Sequence, residues 1–440
     1  MPAPINRKIN LLQATAINMI DMVGIGPFVV MPFVVAQFSN GMFIWAWVFG
    51  AIVALIDGMI WSELGARYPL AGGTYNFHRI AFGEKGGRFM SFLYTWQTTI
   101  QGPLVVASAA IGFSQYMSYF IKLHFWEEKL ICTGVILLVF LLLYRKIEAI
   151  GKISVIMGGV VIMTILWIIL SGMLHQDHSI QWLPSGNDNF FTFAFWTAIS
   201  HSSAKAIYAY LGYYNVCHLG GEIKNPGKNI PRSIFISIAG IAVLYLLMNI
   251  SVMGVVNWQD IKADDKYLVS AFMFQINGPF AALVVTVLIL CIALSSLFAV
   301  VLGYSRVPYA AAIDKNFIPV FAKLHPTRNF PYISLIFICA LGLVFSLTLD
   351  LSKVIKAILA MRIVVQFIAQ AVGVALLRKK SGSADLPFKM WLFPIPVILS
   401  VGVWLFILYS TGWFAVWGLG IAAAGAVVYF VANKKRVFTT

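Results

Sequence analysis

The stretch FFTFAFWTAISHSSAKAIYAYLGYYNVCHLGGEIKNPGKNIP, residues 190–231, decides how the rest of the chain is interpreted. It begins as an apolar run long enough to enter a bilayer, weakens as a helix around Gly212, and ends in the polar turn Glu222–Pro226. Inside hydrocarbon every backbone N–H and C=O needs a partner, so non-helical backbone is tolerated there only where it lines a protein-enclosed or watery cavity. We therefore expect this break to form half of a ligand site.

The composition predicts a polytopic membrane protein. The 440 residues are 60% hydrophobic and 11% charged, with a mean hydropathy of +0.86, whereas about a quarter of a soluble domain is charged. Apolar runs of about 20 residues, the length that crosses a bilayer core, predict twelve all-α spans. These lie at 12–38, 43–64, 89–121, 129–145, 151–173, 190–217, 232–256, 279–305, 331–349, 352–377, 391–410 and 412–432.

The net charge of +15 follows from membrane topology. With a cytoplasmic N-terminus, 23 Lys and Arg residues fall on the cytoplasmic side, 6 fall outside, and 2, Lys205 and Arg362, fall within spans. This asymmetry is the positive-inside rule. It predicts a protein of the cytoplasmic membrane, in contact with lipid and with both termini in the cytoplasm, and no nucleic-acid partner is needed to explain the charge.

A second break is predicted in the first span. Gly24 and Gly26 weaken the helix, and Pro27 lacks a backbone donor. A simple proline kink is one explanation, but paired interruptions at corresponding positions of two halves point to a transport site between inverted repeats. Spans one to five (12–173) and six to ten (190–377) then form the two repeats of a single transport domain (1–440), and 391–432 adds two spans.

Four motifs carry a family resemblance. They are the glycine pair of span one, ELGARYPLAGGTY at 63–75, EIKNPGKNIPRSI at 222–234, and Ser305-Arg306 followed by Asp314, Pro319 and KLHP at 323–326. In this order they resemble the amino acid–polyamine–organocation superfamily. The resemblance implies a leucine-transporter-like, five-plus-five inverted-repeat fold with two discontinuous helices. It also implies secondary active transport of amino acids or related amines by alternating access.

The two breaks offer complementary backbone groups to an amino acid. Freed N–H groups at a half-helix N-terminus suit a carboxylate, and freed carbonyls before Gly212 suit an ammonium group. The resemblance further implies that Gln101 lines the site and that Tyr208 closes over the substrate as a gate. The predicted substrate-binding residues are Asp21, Gly24, Ile25, Gly26, Gln101, Tyr208, Ala209, Tyr210, Gly212 and Tyr213.

Proton coupling is assigned to ionisable groups within spans, because such groups are costly there and usually functional. The candidates are Asp21, Asp57, His201 and Lys205. A carboxylate deprived of water binds a proton more readily. The alternative interpretation of each aspartate is a permanently neutral group or one that is hydrogen-bonded to its own helix. The alternative for Lys205 is a side chain that snorkels to the membrane surface.

Related proton-coupled members carry a lysine in span five, where this chain has Met157 to Val160, so that coupling scheme does not transfer. The serine pair Ser295 and Ser296 leaves sodium coupling open, against the alternative of helix packing.

Other polar residues are interpreted structurally. Glu63 and Glu222 sit where spans meet the basic cytoplasmic face, and we expect them to contact neighbours such as Arg67 or Lys224. Arg362 lies in a polar stripe with glutamines at 366 and 370, and is expected to pair near span three or six.

Three functions are weighed. The favoured one is amino acid transport, and a polyamine or cationic amine transporter or exchanger is the alternative, because Asp21 supplies a negative charge. An amino acid sensor on the same scaffold is a third, but the tail after the last span, 432–440, is short for a signalling extension. No nucleophile, metal-ligand pattern or phosphate loop points to an enzyme, a metal or a cofactor, and the oligomeric state is left open.

Overall fold

The computed structural model describes residues 7–38, 41–145, 147–177, 179–180, 183, 190–263, 265, 267–382 and 386–434. These parts of the chain are helical, apart from loops and two isolated β-bridges. The helices are α1 (Leu11–Met22), α2 (Gly26–Val35), α3 (Ile44–Arg67), α4 (Thr74–Ala81), α5 (Gly83–Met117), α6 (Phe125–Leu143), α7 (Ile147–Leu174), α8 (Phe193–Tyr210), α9 (Asn215–His218), α10 (Pro226–Met253), α11 (Leu268–Tyr304), α12 (Arg306–Ile313), α13 (Tyr332–Thr348), α14 (Leu351–Arg362), α15 (Ala369–Ser381), α16 (Ile395–Ser410) and α17 (Trp413–Lys434).

Two of the predicted spans are interrupted where the glycines predict it. Helices α1 and α2 meet at an angle of 46°, because the chain leaves helical geometry before Gly26 and Pro27 occupies the first turn of α2. Helix α8 ends at Tyr210, and Gly212 then adopts φ of +128°, which a residue with a Cβ rarely takes. Both interruptions are therefore built into the backbone.

Several helices are suited to a membrane. Within the described residues, six are long and apolar enough to cross one, and the bent pair α1 and α2 makes a seventh. Helices α13 and α16 are shorter and apolar. The helices fall on the predicted apolar runs, so the chain is an integral membrane protein, while the number of crossings and the inverted repeat stay predictions.

The interrupted helices lie inside the bundle. Helix α1 packs against α7, α10 and α11, and α8 packs against α2 and α3. Helix α17 lies outside, on α5 and α14, and most of its apolar surface is exposed, as expected of a helix that faces lipid.

At the predicted cytoplasmic face, two buried ion pairs join helix ends that are distant in sequence. Arg306 Nε donates to Glu222 Oε1 at 3.2 Å, and Arg378 forms a bidentate pair with Glu63. The prediction that Glu63 and Glu222 contact neighbours such as Arg67 or Lys224 is therefore wrong. The physical reason is that converging helix ends bring cations from α12 and α15 closer than the chain neighbours.

The N-terminal segment closes the same face. The backbone N–H groups of Lys8 and Ile9 each donate to the carbonyl of Glu222 at 2.9 Å, and the N–H of Lys224 donates back to Ile9 at 2.8 Å. These bonds fasten the start of α1 to the segment that follows the second break.

Candidate functional site

A cavity of about 50 Å³ lies between the two breaks. Seven predicted substrate-binding residues line it, namely Asp21, Gly24, Ile25, Gly26, Tyr208, Ala209 and Gly212. Side chains from three further helices complete the wall, among them Ser108 of α5, Ser296 and Tyr304 of α11, and Arg362 of α14. The two interruptions and the cavity therefore form one site.

Glycine at position 212 allows the two breaks to touch. A Cβ added there would lie 2.6 Å from the backbone nitrogen of Met22 and 2.9 Å from Cγ of Asp21. A Cβ on Gly24 would likewise meet the Ser296 hydroxyl at 2.7 Å. Close approach of α1, the second break and α11 thus depends on the absence of side chains at both positions.

A single hydroxyl bridges the two breaks. Tyr245 of α10 is fully buried, and its hydroxyl lies 3.0 Å from the carbonyl oxygen of Met22 and 3.1 Å from that of Ala209. Both carbonyls belong to residues that line the cavity. Asn18 adds a second bridge, since its side-chain oxygen accepts from the N–H of Val216 at 2.9 Å.

Arg362 places a buried positive charge on the cavity wall. It is 3% exposed, and its guanidinium donates to the hydroxyls of Tyr214 and Tyr304. The amide of Gln101, oriented with its oxygen toward the guanidinium, accepts from Nε at 2.6 Å. These acceptors are neutral, and within the described residues Arg362 forms no ion pair with a carboxylate.

Asp21 places an opposite charge on the same cavity. It stands at the end of α1, and its backbone carbonyl accepts from Ser296 Oγ at 3.4 Å. The carboxylate and the Arg362 guanidinium are close enough to interact electrostatically without contact. The site therefore presents one carboxyl group and one guanidinium on the same cavity, groups able to face the ammonium and the carboxylate of a zwitterion.

Tyr208 lies where a gate is predicted. Its ring is 3.6 Å from the position that a Cβ on Gly26 would occupy, and its hydroxyl is 3.1 Å from Ser108 Oγ. The side chain therefore spans the cavity from α8 to α5.

Asp57 is buried outside the cavity. Its carboxylate accepts from Tyr213 (2.7 Å), Trp61 (2.8 Å), Trp404 (3.3 Å) and Ser400 (3.5 Å). These donors come from α3, the second break and α16, and all are neutral. The carboxyl group thus ties the break to the surrounding helices, and among the described residues it forms no ion pair.

Two predicted contacts are placed differently by the structure. Tyr213 points to Asp57 instead of the cavity, and Tyr210 packs its ring against Trp47 and Tyr245. The irregular backbone around Gly212 rotates successive side chains away from helical positions, so Tyr214 lines the cavity in their place.

The remaining candidates lie near the site or beyond it. Gln101 reaches the cavity through Arg362. Lys205 lies about one turn before Tyr208 on α8, where its ammonium rests on the Phe33 ring. His201 is exposed a further turn away. Ser295 turns back to the carbonyl of Cys291 on its own helix.

Sequence reasoning missed Ser108, Tyr214 and Tyr304 as wall residues. A hydroxyl residue on an apolar helix gives no sign of which way it faces until the neighbouring helices are placed. Tyr214 had the clearest signal, since it directly follows the predicted pair Gly212 and Tyr213.

The chain is similar in sequence to known transport proteins. The sequence profile of the amino acid permease family matches residues 9–432. The chain is 26% identical to the serine/threonine exchanger SteT of Bacillus subtilis (strain 168), over 98% of both chains. It is 22% identical to the branched-chain amino acid permease BcaP of the same organism, over 98% of this chain and 94% of BcaP.

The match covers a smaller share of a human relative. Cationic amino acid transporter 4 of Homo sapiens is 25% identical over 87% of this chain and 61% of its own. These relatives are named as an exchanger of serine and threonine, a permease of branched-chain amino acids and a transporter of cationic amino acids. With the family profile spanning nearly the whole sequence, the chain belongs to the amino acid permease family, within the amino acid–polyamine–organocation superfamily that its motifs predicted.

Proposed function

We propose that this protein is a secondary active transporter that carries amino acids across the cytoplasmic membrane by alternating access, coupled to protons. The observation that carries the proposal is the pair of opposite charges, Asp21 and Arg362, on one cavity between two helix breaks. An amino acid brings an ammonium and a carboxylate, and each has an opposite charge to meet there.

The backbone supports the same orientation for the substrate. The start of α2 presents N–H groups that have no partner within the helix, and these suit a carboxylate together with Arg362. The carbonyls of Met22 and Ala209 suit the ammonium group together with Asp21. The ammonium and carboxylate groups, which all amino acids share, are then both recognised. The small volume of the cavity favours a substrate with a short side chain.

A cationic amine is the second candidate, because Asp21 provides the negative charge that it needs. Against it stands Arg362, which is buried in the same wall without a carboxylate partner among the described residues. A polyamine carries no negative group to balance that guanidinium, and two like charges in a dry site repel strongly.

For proton coupling we propose Asp21, with Asp57 as a second carrier. Asp21 reaches both the cavity and the substrate, so a change in its charge would alter substrate affinity. Asp57 is joined to the second break through Tyr213, so protonation there would weaken a contact between the break and the outer helices.

Alternating access is supported by the difference between the two faces. At the predicted cytoplasmic face, Glu63 and Glu222 hold helix ends together by ion pairs. On the other side of the cavity, the described residues that close it include Tyr208, whose hydroxyl contacts Ser108 Oγ. We propose that opening inward requires the ion pairs to separate.

Uptake into proteoliposomes tests the proposal. Purified protein is reconstituted, a pH gradient is imposed, and uptake of labelled serine and alanine is measured with and without unlabelled amino acids or putrescine. Competition by amino acids and stimulation by an acidic exterior are expected. Inhibition by putrescine alone would overturn the choice of substrate, and binding without flux would favour a sensor.

A further inference from the structure

A second cavity, of about 320 Å³, lies beyond Tyr208 on the predicted outer side. Its wall includes Phe33 from α2, Gln115 from α5, Lys205 from α8, and the acidic residues Asp265 and Asp350. We call this cavity the outer vestibule. It is several times larger than the central cavity and is lined by charges of both signs.

The outer vestibule and the central cavity both border α8, since Lys205 lines the first and Tyr208 lines the second. Lys205 precedes Tyr208 by three residues, which places it about 4.5 Å farther out along α8 at 1.5 Å per residue. Residues three apart share a helix face, so both side chains border the same route. A solute that enters from outside meets Lys205 before it meets Tyr208.

Lys205 is held in place but not neutralised. Its ammonium nitrogen lies 3.0 Å from the centroid of the Phe33 ring, a cation–π contact that fixes its position and leaves its charge intact. Within the described residues it forms no ion pair with a carboxylate. A half-buried cation without a counter-ion is available to a passing anion.

The acidic residues occupy the rim of the outer vestibule. Asp350 is exposed at the start of α14, where it pairs with Lys353 at 2.8 Å. Asp265 accepts from the backbone N–H of Lys262 at 2.9 Å. A zwitterion would therefore settle with its carboxylate inward, on Lys205, and its ammonium outward, toward the carboxylates.

We propose that the outer vestibule is a second amino acid-binding site, occupied before the central one, in which Lys205 binds the substrate carboxylate. This inference rests on the proposed function, because it takes the same substrate class. It adds a selection step, since a solute without a carboxylate gains nothing from Lys205.

Equilibrium binding of labelled serine to the purified protein in detergent tests this. The wild type is expected to bind two molecules per chain with different affinities. In Lys205→Gln the weaker phase should lose affinity about tenfold, the worth of one hydrogen bond to a charged group, while the tighter phase is unchanged. Lys205→Arg should keep both phases.

Lys356→Gln is the matched control. Lys356 lies near Lys205, is exposed, and rests on the Phe414 ring, but it does not line the outer vestibule. Its removal takes away the same charge from the same region and should leave both phases intact. Serinamide, which lacks the carboxylate, should bind the wild type and Lys205→Gln equally.

The possible failures are distinguishable. A wild type that binds one serine per chain, or a Lys205→Gln protein that binds like the wild type, overturns the second site and leaves the proposed function standing. A wild type that binds no amino acid overturns both. Equal loss of serine and serinamide binding in Lys205→Gln assigns Lys205 a structural role and refutes the inference.

Discussion

Arg362 offers the sharpest test of how the central cavity recognises its substrate. We consider Arg362→Gln, which removes the positive charge but keeps a side chain able to hydrogen-bond. In the wild type the guanidinium is shared among three neutral acceptors, Tyr214, Tyr304 and Gln101, so its full charge faces the cavity.

The size of the effect follows from the contact that is lost. A hydrogen bond to a charged group contributes about 1.5–3 kcal/mol, which corresponds to a roughly tenfold to 150-fold weaker Kd for an amino acid. Asp21 remains and is no longer balanced by a cation, so an amine without a carboxylate should bind as well as before or better. The variant is expected to shift preference from serine toward serinamide and putrescine.

Isothermal titration of the purified protein with serine, serinamide and putrescine measures this shift. Arg362→Lys, which keeps the charge but not the planar fork, should retain a preference for serine over serinamide. Thermal unfolding of each variant controls for loss of structure. If Arg362→Gln weakens serine and serinamide equally, the guanidinium does not bind the carboxylate and the charge-pair argument fails.

Three further predictions concern coupling and stability. Asp21→Asn should lower pH-gradient-driven uptake into liposomes while serine exchange continues in part; unchanged driven uptake would remove Asp21 from the coupling mechanism. Glu63→Gln leaves Arg378 buried without a counter-charge and should lower the free energy of unfolding by about 3–5 kcal/mol. The control Glu148→Gln, at a half-exposed ion pair, should change the free energy of unfolding by less than about 1 kcal/mol. Equal effects of the two substitutions in denaturant titrations would contradict this prediction. On α4, burial lowers the pKa of His78 to about 3, so the unfolded chain binds a proton near pH 6.5 that the folded protein does not. The contribution of His78 to the free energy of unfolding should then fall as the pH drops below about 6.5, by up to about 1.4 kcal/mol per pH unit. A pH series of unfolding curves should be less steep for His78→Gln than for the wild type by that amount.

The sequence predicted features that depend on the local backbone. The break at Gly24 and Gly26, and the break at Gly212, were predictable because glycine and proline act on their own turn of chain. The apolar runs located the helices for a similar reason, since bilayer thickness sets their length.

Contacts between distant parts of the chain were not predictable. Glu63 and Glu222 were recognised as structural, but their partners Arg378 and Arg306 lie 315 and 84 residues away. Their pairing depends on how helix ends converge. The direction of a side chain at an irregular break is equally hidden, which is why Tyr213 was expected in the cavity and Tyr214 was not.

The hydroxyl of Tyr245 lies within hydrogen-bond distance of carbonyls from both breaks, yet a hydroxyl has one hydrogen to give. Met22 and Ala209 therefore compete for the same proton, and the carbonyl that loses has one hydrogen-bond donor fewer. An arriving ammonium group would end that competition by serving the carbonyl left over. On the proposed function, Tyr245, which does not line the cavity, would thereby link both breaks to the binding of the substrate's ammonium group.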